Sequence, residues 1–359
     1  MKKNSILSLL LILCLLLCAC APTQQPAAQS EQPQQSAQPA EQQPAASDSE
    51  EDDVFNVAFC AIYPFDQAVW LSQMVETLTE YNETHDDVNI KLVEVSETSQ
   101  YEPKIRALAE QGIYDLIMTQ FSGHVEATIA VAKDFPDIQF FSYDGMIENI
   151  SQYPNITEGM GGDRLVNGFL AGACAAYMTK TNKVCFIGGK DIESIQKQAA
   201  GWQQGVDYVN AEIEDKFVIA DTFADTTITR ELAANLYGQG FDIIGFSASG
   251  ASAGVVQAAA EAGGENYAIA FETHFDDIAE GKEIAAAITY ADKMMVQVIE
   301  AARDGKLEMS IQKTYGYAEG VNDFIYCNDV VPQDVRDKIA DILDKILAGE
   351  IEVKFELQY

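Results

Sequence analysis

Few side chains in this sequence could make or break bonds. Histidine occurs three times in 359 residues, at His85, His124 and His274, too far apart in sequence for a metal-binding motif, so only a spatial cluster would make one. A hydrolase would need an activated nucleophile beside one of them, yet Gly245-Phe246-Ser247-Ala248-Ser249 lacks the closing glycine of a G-x-S-x-G elbow. The pairs Gly161-Gly162 and Gly188-Gly189 do not spell G-x-G-x-x-G, so the dinucleotide fingerprint is absent. No metal and no cofactor is expected, and an α/β enzyme is the weakest reading. What remains suits binding. Phe65 and Phe223 stand in short loops where a ring can line a cleft or cap the core. Asp144 and Glu272 follow apolar runs as isolated carboxylates. The small-residue turn Ser247, Ser249, Gly250, Ser252 leads into a helix whose free N–H groups could hold a ligand oxygen, or whose serines could simply cap it. His274, two residues past Glu272, could also reach a ligand, whereas His85 reads as surface and Trp70 and Trp202 as core.

Such residues need strand ends to stand on. From Gln111 to Gly145 two apolar runs, Tyr114 to Met118 and Ile138 to Tyr143, flank a segment with Val125, Ile129, Ala130 and Ala132 at helical spacing. That is a β-α-β unit, and ligands of such units sit outside the carboxyl ends of the strands, here at Phe121 and Asp144. The same alternation predicts strands over 54–61, 88–95, 183–187, 217–221, 243–246 and 267–271. Helices are predicted over 66–81, 101–111, 164–178, 192–210, 229–237, 251–262, 293–303 and 334–347. Strict alternation means parallel, doubly wound sheets, and the number of strands means two of them. The expected fold is therefore α/β with two Rossmann-like lobes. The alternation pauses over the polar stretch Met146 to Gly162, which predicts a first lobe of 54–160 and a second of 161–287; pattern alone leaves the last helices open to either lobe, and they are divided as about 288–312 to the first and about 313–359 to the second.

The start of the chain reads differently. A basic Met1 to Asn4, an apolar Ile6 to Leu17 and Leu17-Cys18-Ala19-Cys20 form a secretory signal over 1–19, because the apolar run is well short of the roughly 20 residues that span a bilayer. The ending resembles the lipobox of bacterial lipoproteins, which makes Cys20 the expected lipidated residue. Residues 20–53, rich in Gln, Pro, Ala and Ser, cannot bury a core and read as a tether from that anchor. The location implied is the extracytoplasmic face of the cell membrane. A net charge of −34 argues against nucleic acid as a partner. Cys60, Cys174, Cys185 and Cys327 lack metal-like or CxxC spacing, and buried free thiols are expected.

Two longer segments carry a family likeness. YDLIMTQFSGHVEATIAVAKDFPD, and GFLAGACAAYMTKTNKVCFIGGKDI followed by AGWQQGVDYVN, resemble the basic membrane protein family of lipoproteins from about Val54 to Val353. SQYEPKIRALAEQGIYDLI is similar to the Med-like branch. The resemblance implies a type I periplasmic-binding-protein clamshell, and the substrate-binding component of an ABC importer, with purine nucleosides bound by several members. It implies ring stacking by Phe65 in PFDQAVW, with Asp66 beside it, and by Phe223 in DTFADT. Asp144, Gly250 and Glu272 become polar contacts. The family's ligand-binding lysine is replaced by Thr289 or Tyr290, with Lys293 a turn later as a stand-in, and the first loop is cut down to Ala61-Ile62-Tyr63-Pro64. The ligand expected is thus a small flat polar molecule, a purine nucleoside or nucleobase, and the further partners are ABC permease subunits. The protein is expected to be a monomer. A surface receptor of the same fold that senses ligand without transporting it is the alternative.

Overall fold

The computed structural model describes residues 54–357 apart from 68 and 276. The expected signal, lipidated Cys20 and tether lie outside the described residues. No helix among the described residues is long and apolar enough to cross a membrane.

Strands alternate with helices through most of the chain. The first sheet is built from β1 (Phe55–Ala61), β2 (Val88–Glu94), β3 (Leu116–Gln120), β4 (Gln139–Tyr143) and β5 (Ile156–Gly161). These are separated by α1 (Val69–Thr84), α2 (Tyr101–Ala109) and α3 (Phe121–Asp134), and the neighbour order is β2-β1-β3-β4-β5, all parallel. The second half repeats the plan. α4 (Arg164–Met178) leads to β6 (Lys183–Gly188), α5 (Glu193–Asn210), β7 (Glu214–Ile219), α6 (Thr226–Gly238), β8 (Ile243–Ser247), α7 (Ala253–Ala262), β9 (Tyr267–Glu272) and β10 (Glu283–Thr289). Its order is β7-β6-β8-β9-β10. Sheets wound this way hold ligands at the carboxyl ends of their strands, next to the point where strand order reverses.

Alternation within the strands feeds two faces of each sheet. In β1, Val57 and Phe59 pack with Leu71, Met74 and Leu78 of α1, while Ala58 and Cys60 pack with Ile105, Leu108 and Val131 of α2 and α3. In β6, Val184 and Phe186 face α4 and α5, and Cys185 and Ile187 face α6 and α7. Burial on both faces explains why these strands read as unbroken apolar runs.

The chain then returns. α8 (Ala291–Arg303) lays Met294, Met295 and Val298 on α1 in the first lobe, and β11 (Gln312–Tyr315) adds to the edge of β5. β12 (Asn322–Tyr326) pairs antiparallel with β10, and α9 (Gln333–Leu347) covers α4 in the second lobe. The first sheet thus runs past the expected switch near 312 by three residues, to Tyr315. Three segments pass between the sheets, at Gly161 to Arg164, Thr289 to Ala291 and Tyr315 to Asn322.

The polar pause from Met146 to Gly162 conceals a strand, β5. Its polar side chains are satisfied inside the protein: the buried Glu158 accepts from the backbone N–H groups of Met146 and Ile147 (3.1 Å for the latter) and from Gln312 (2.9 Å). β7 begins at Glu214, three residues before the expected Phe217, because this edge strand is opened by charged residues; Glu214 pairs with Lys183 at 2.8 Å. Charge on an edge strand discourages further pairing.

Candidate functional site

Left-handed backbone marks where the chain turns off its parallel strands. Phe121 (φ 54°) follows β3, Asp144 (φ 49°) follows β4, Glu272 (φ 70°) ends β9, and Asp221 and Ser249 lie two residues past β7 and β8. Non-glycine residues in that region cost of order 1–3 kcal/mol each and collect at functional sites. Here each sits at a carboxyl end.

On the first lobe these ends form an aromatic floor. The Phe121 ring lies edge-on to Trp70 at 5.7 Å, and within 5.3 Å of Tyr143 and 6.2 Å of Tyr63. Phe65 is half-buried beside the same core, its loop pinned by its backbone N–H to Glu94 (2.9 Å) and by Ser72 donating to its carbonyl (2.9 Å). Gln120 accepts from the N–H of Ile62 at 3.1 Å and so ties that loop to β3. Asp66 is exposed in the loop. Trp70, expected in the core, contributes an edge to the floor. Trp202 is fully buried, as expected, and donates its indole N–H to Asp215 at 2.8 Å.

The polar half of the site centres on a residue the sequence reading passed over. Arg164, the first residue of α4, donates to Asp144 at 2.8 Å, and Asp144 accepts in addition from the N–H of Gly161 at 2.9 Å. The side chains of this pair are only 15% and 8% exposed. Burial works against the guanidinium charge, but Asp144 and then Glu272 outweigh it and hold Arg164 above its ordinary range. One cation is therefore paired with a carboxylate of the first lobe and feels the charge of one from the second. Of the positions expected to replace the family's lysine, Thr289 accepts from Asn322 at 3.0 Å, and Lys293 lies over the Tyr290 ring at 3.6 Å. Tyr290 precedes α8, packs against the core of the second lobe and donates its N–H to the carbonyl of Val321 at 2.7 Å.

Phe223 and Gly250 come together on the second lobe. The carbonyl of Phe223 accepts from the N–H of Ala251 at 3.1 Å, and the ring lies against Gly189, where a Cβ would approach it to 2.4 Å. Gly250 is exposed. In the same turn Ser252 accepts from the N–H of Ala248 at 3.0 Å, so that serine serves the turn itself.

The histidines take up other work. His124 is fully buried: Nδ1 accepts from the N–H of Gln120 (3.2 Å), which leaves Nε2 to donate to the carbonyl of Val95 (2.9 Å), and burial lowers its pKa. It is a neutral strap between α3 and β2. His85 stacks on Tyr81 at 3.9 Å, and His274 is exposed. No group of metal-ligating side chains is present among the described residues. Cys60, Cys174 and Cys185 are buried free thiols, and the half-buried Cys327 donates its thiol to Glu283 at 3.4 Å; burial pushes the thiols of Cys60 and Cys174 up to about 12.

This arrangement can hold a small polar molecule against aromatic rings, with a guanidinium and two carboxylates for its hydrogen-bonding edge. Solved structures share the fold. A transcriptional activator of the comK gene from Bacillus halodurans aligns with a TM-score of 0.70 at 22% identity, covering 83% of this chain and 99% of that one. An ABC transporter solute-binding protein from Conexibacter woesei aligns at 0.67 and 19%, covering 85% and 100%. Among sequence relatives, the ABC transporter nucleoside-binding protein BmpA of Lactococcus lactis is 25% identical over 80% of this chain and 84% of its own length. Basic membrane protein A2 of Borrelia garinii is 26% identical over 75% and 80%. Residues 55–356, nearly the whole folded region, match the Bmp family, described as ABC transporter substrate-binding protein PnrA-like, and the chain belongs to that family of binding proteins rather than to an enzyme family.

Proposed function

We propose that the protein is the lipid-anchored, extracytoplasmic binding component of an ABC importer, and that its two lobes close on a purine nucleoside or nucleobase. The observation that carries this reading is the buried pair of Arg164 and Asp144, with the charge of Glu272 acting on Arg164, beside the Phe121 floor. A flat heterocycle stacks on aromatic rings, Phe65 from one lobe and Phe223 from the other, at roughly 0.5–1.5 kcal/mol per ring beyond burial. Its hydroxyl or N–H groups donate to the carboxylates, and its acceptors take the guanidinium. Closure expels water and strengthens each of these contacts. The triad carries one positive and two negative charges, so a ligand phosphate would be repelled and an uncharged ligand favoured. The name of the Lactococcus lactis relative points the same way. The closed form is what the permease recognises, and Cys20 keeps the protein at the membrane beside it.

A thermal-shift panel of purine and pyrimidine nucleosides, their bases, their monophosphates, sugars and amino acids tests this. A ligand at a hundred times its dissociation constant adds about 2.7 kcal/mol, a shift of several degrees. We expect nucleosides or bases to shift the melting temperature and monophosphates to leave it in place. A response confined to sugars or amino acids would remove the nucleoside reading.

A further inference from the structure

Gln198 lies on the second turn of α5 and is 1% exposed. Its Nε2 donates to Glu272 Oε1 at 2.5 Å, while its Oε1 is buried without a partner. The orientation is fixed by chemistry, since turning the amide over would set its oxygen against a carboxylate. A buried acceptor left unmade is destabilising, a cost that a methionine of similar length would avoid. Packing therefore does not call for an amide here. What the amide does is hold one oxygen of Glu272, a residue whose backbone is left-handed and whose charge acts on Arg164.

From these contacts we infer that Gln198 is a positioning residue for ligand binding: it fixes the carboxylate of Glu272 so that its second oxygen, together with Arg164 and Asp144, faces the space between the lobes. This rests on the proposed function, because the cleft must be the ligand site. Gln198 need not touch the ligand. Its effect passes through Glu272, and without Glu272 it has none.

The test uses the full-length protein and its Gln198→Met, Glu272→Gln and doubly substituted forms, with adenosine, inosine and guanosine as probes, read by calorimetry and by thermal melting. Gln198→Met is expected to lose about tenfold or more in affinity, equivalent to about 1.4 kcal/mol, with a melting temperature unchanged or raised. In the Glu272→Gln background the same substitution is expected to cost nothing further. Wild-type affinity in Gln198→Met, losses that add in the double variant, or a melting temperature lowered by several degrees would each overturn the assignment. If the wild-type protein binds none of the three nucleosides, the proposed ligand class falls by itself. Melting then decides on Gln198: a Gln198→Met shift that differs between the wild-type and Glu272→Gln backgrounds supports its coupling to that carboxylate, and the same shift in both refutes it.

Discussion

Asp144 and Glu272 stand out in the sequence as candidates because a lone carboxylate after an unbroken apolar run falls at the carboxyl end of a buried parallel strand, where ligands of such sheets sit. Arg164 could not be found by that logic. It opens a helix, next to the capping Asp163, and there a basic side chain reads as solvated surface. A signal was present, since Arg164 is the one basic residue between Lys133 and Lys180. Its meaning depends on two sheets being brought together. A second carboxylate shows the same dependence on distant neighbours. Burial pushes the Asp215 carboxyl up to about 7, with the Trp202 indole pulling it back and Asp207 adding to the rise. Its Oδ2 has no partner. Because the folded value is raised, this group's contribution is fully present below about pH 4 and is lost as pH climbs through about 7, where the unfolded chain is already ionised. Asp215→Asn should therefore stabilise the protein at pH 8, by roughly 1–3 kcal/mol, and by much less at pH 4.5. Urea midpoints at the two values measure this, and equal gains at both would mean that Asp215 is not protonated in the fold.

Among the elements, the strongest sequence signature has a structural explanation. GFLAG in α4 and AGWQQG in α5 place glycines four apart on facing helices. A Cβ on Gly168 or Gly172 would lie 2.1 Å from the carbonyl oxygen of Gln198 or Trp202, and one on Gly201 or Gly205 would lie 2.0 Å from that of Leu165 or Phe169. The two helices touch backbone to backbone, and even a methyl group separates them. Gly201→Ala should cost about 1–3 kcal/mol through this overpacking. The same change at Gly238, where an added Cβ meets nothing within 4 Å, should cost nothing or slightly stabilise its helix. Chemical denaturation distinguishes the two, and equal effects would argue against the interlock. The helices and most strands were legible because their apolar spacing is regular. β5 was not, since its Thr157 and Glu158 are polar yet buried, and the bonds that satisfy them come from β11 and the loop after β4.

At the scale of the molecule, one amide ties the three inter-sheet segments together. Asn322 accepts from the N–H of Asp163 at 2.7 Å and donates to the carbonyl of Ile288 and to Thr289, both at 3.0 Å. Asn167 links Tyr317 to the same point, accepting its hydroxyl at 2.8 Å. Asn322→Ala should loosen the pivot about which the lobes turn and so change ligand affinity without touching ligand, by roughly 0.5–2 kcal/mol. Small-angle scattering with and without ligand, set beside calorimetry, reads both effects. Unaltered affinity together with unaltered scattering would show that the segments hold their geometry without it. Nothing in the local sequence around Asn322 announces this role, because all its partners are distant along the chain.

The triple passage also orders the protein's assembly in time. The apolar face of α1 is covered by Met294, Met295 and Val298 of α8, and Thr77 bonds to Asp292 at a separation of 215 residues. A growing chain that has completed five strands of its first sheet still carries the side of α1 that meets α8 bare. The strands of the second sheet follow one another without interruption as far as β10, but its β12 and the covering α9 come after α8 and β11, so neither core is complete until the chain has returned. α8 and β11 must return to a half-built lobe before β12 and α9 complete the other, and the early part of the chain stays exposed to wrong partners for as long as the rest takes to be made.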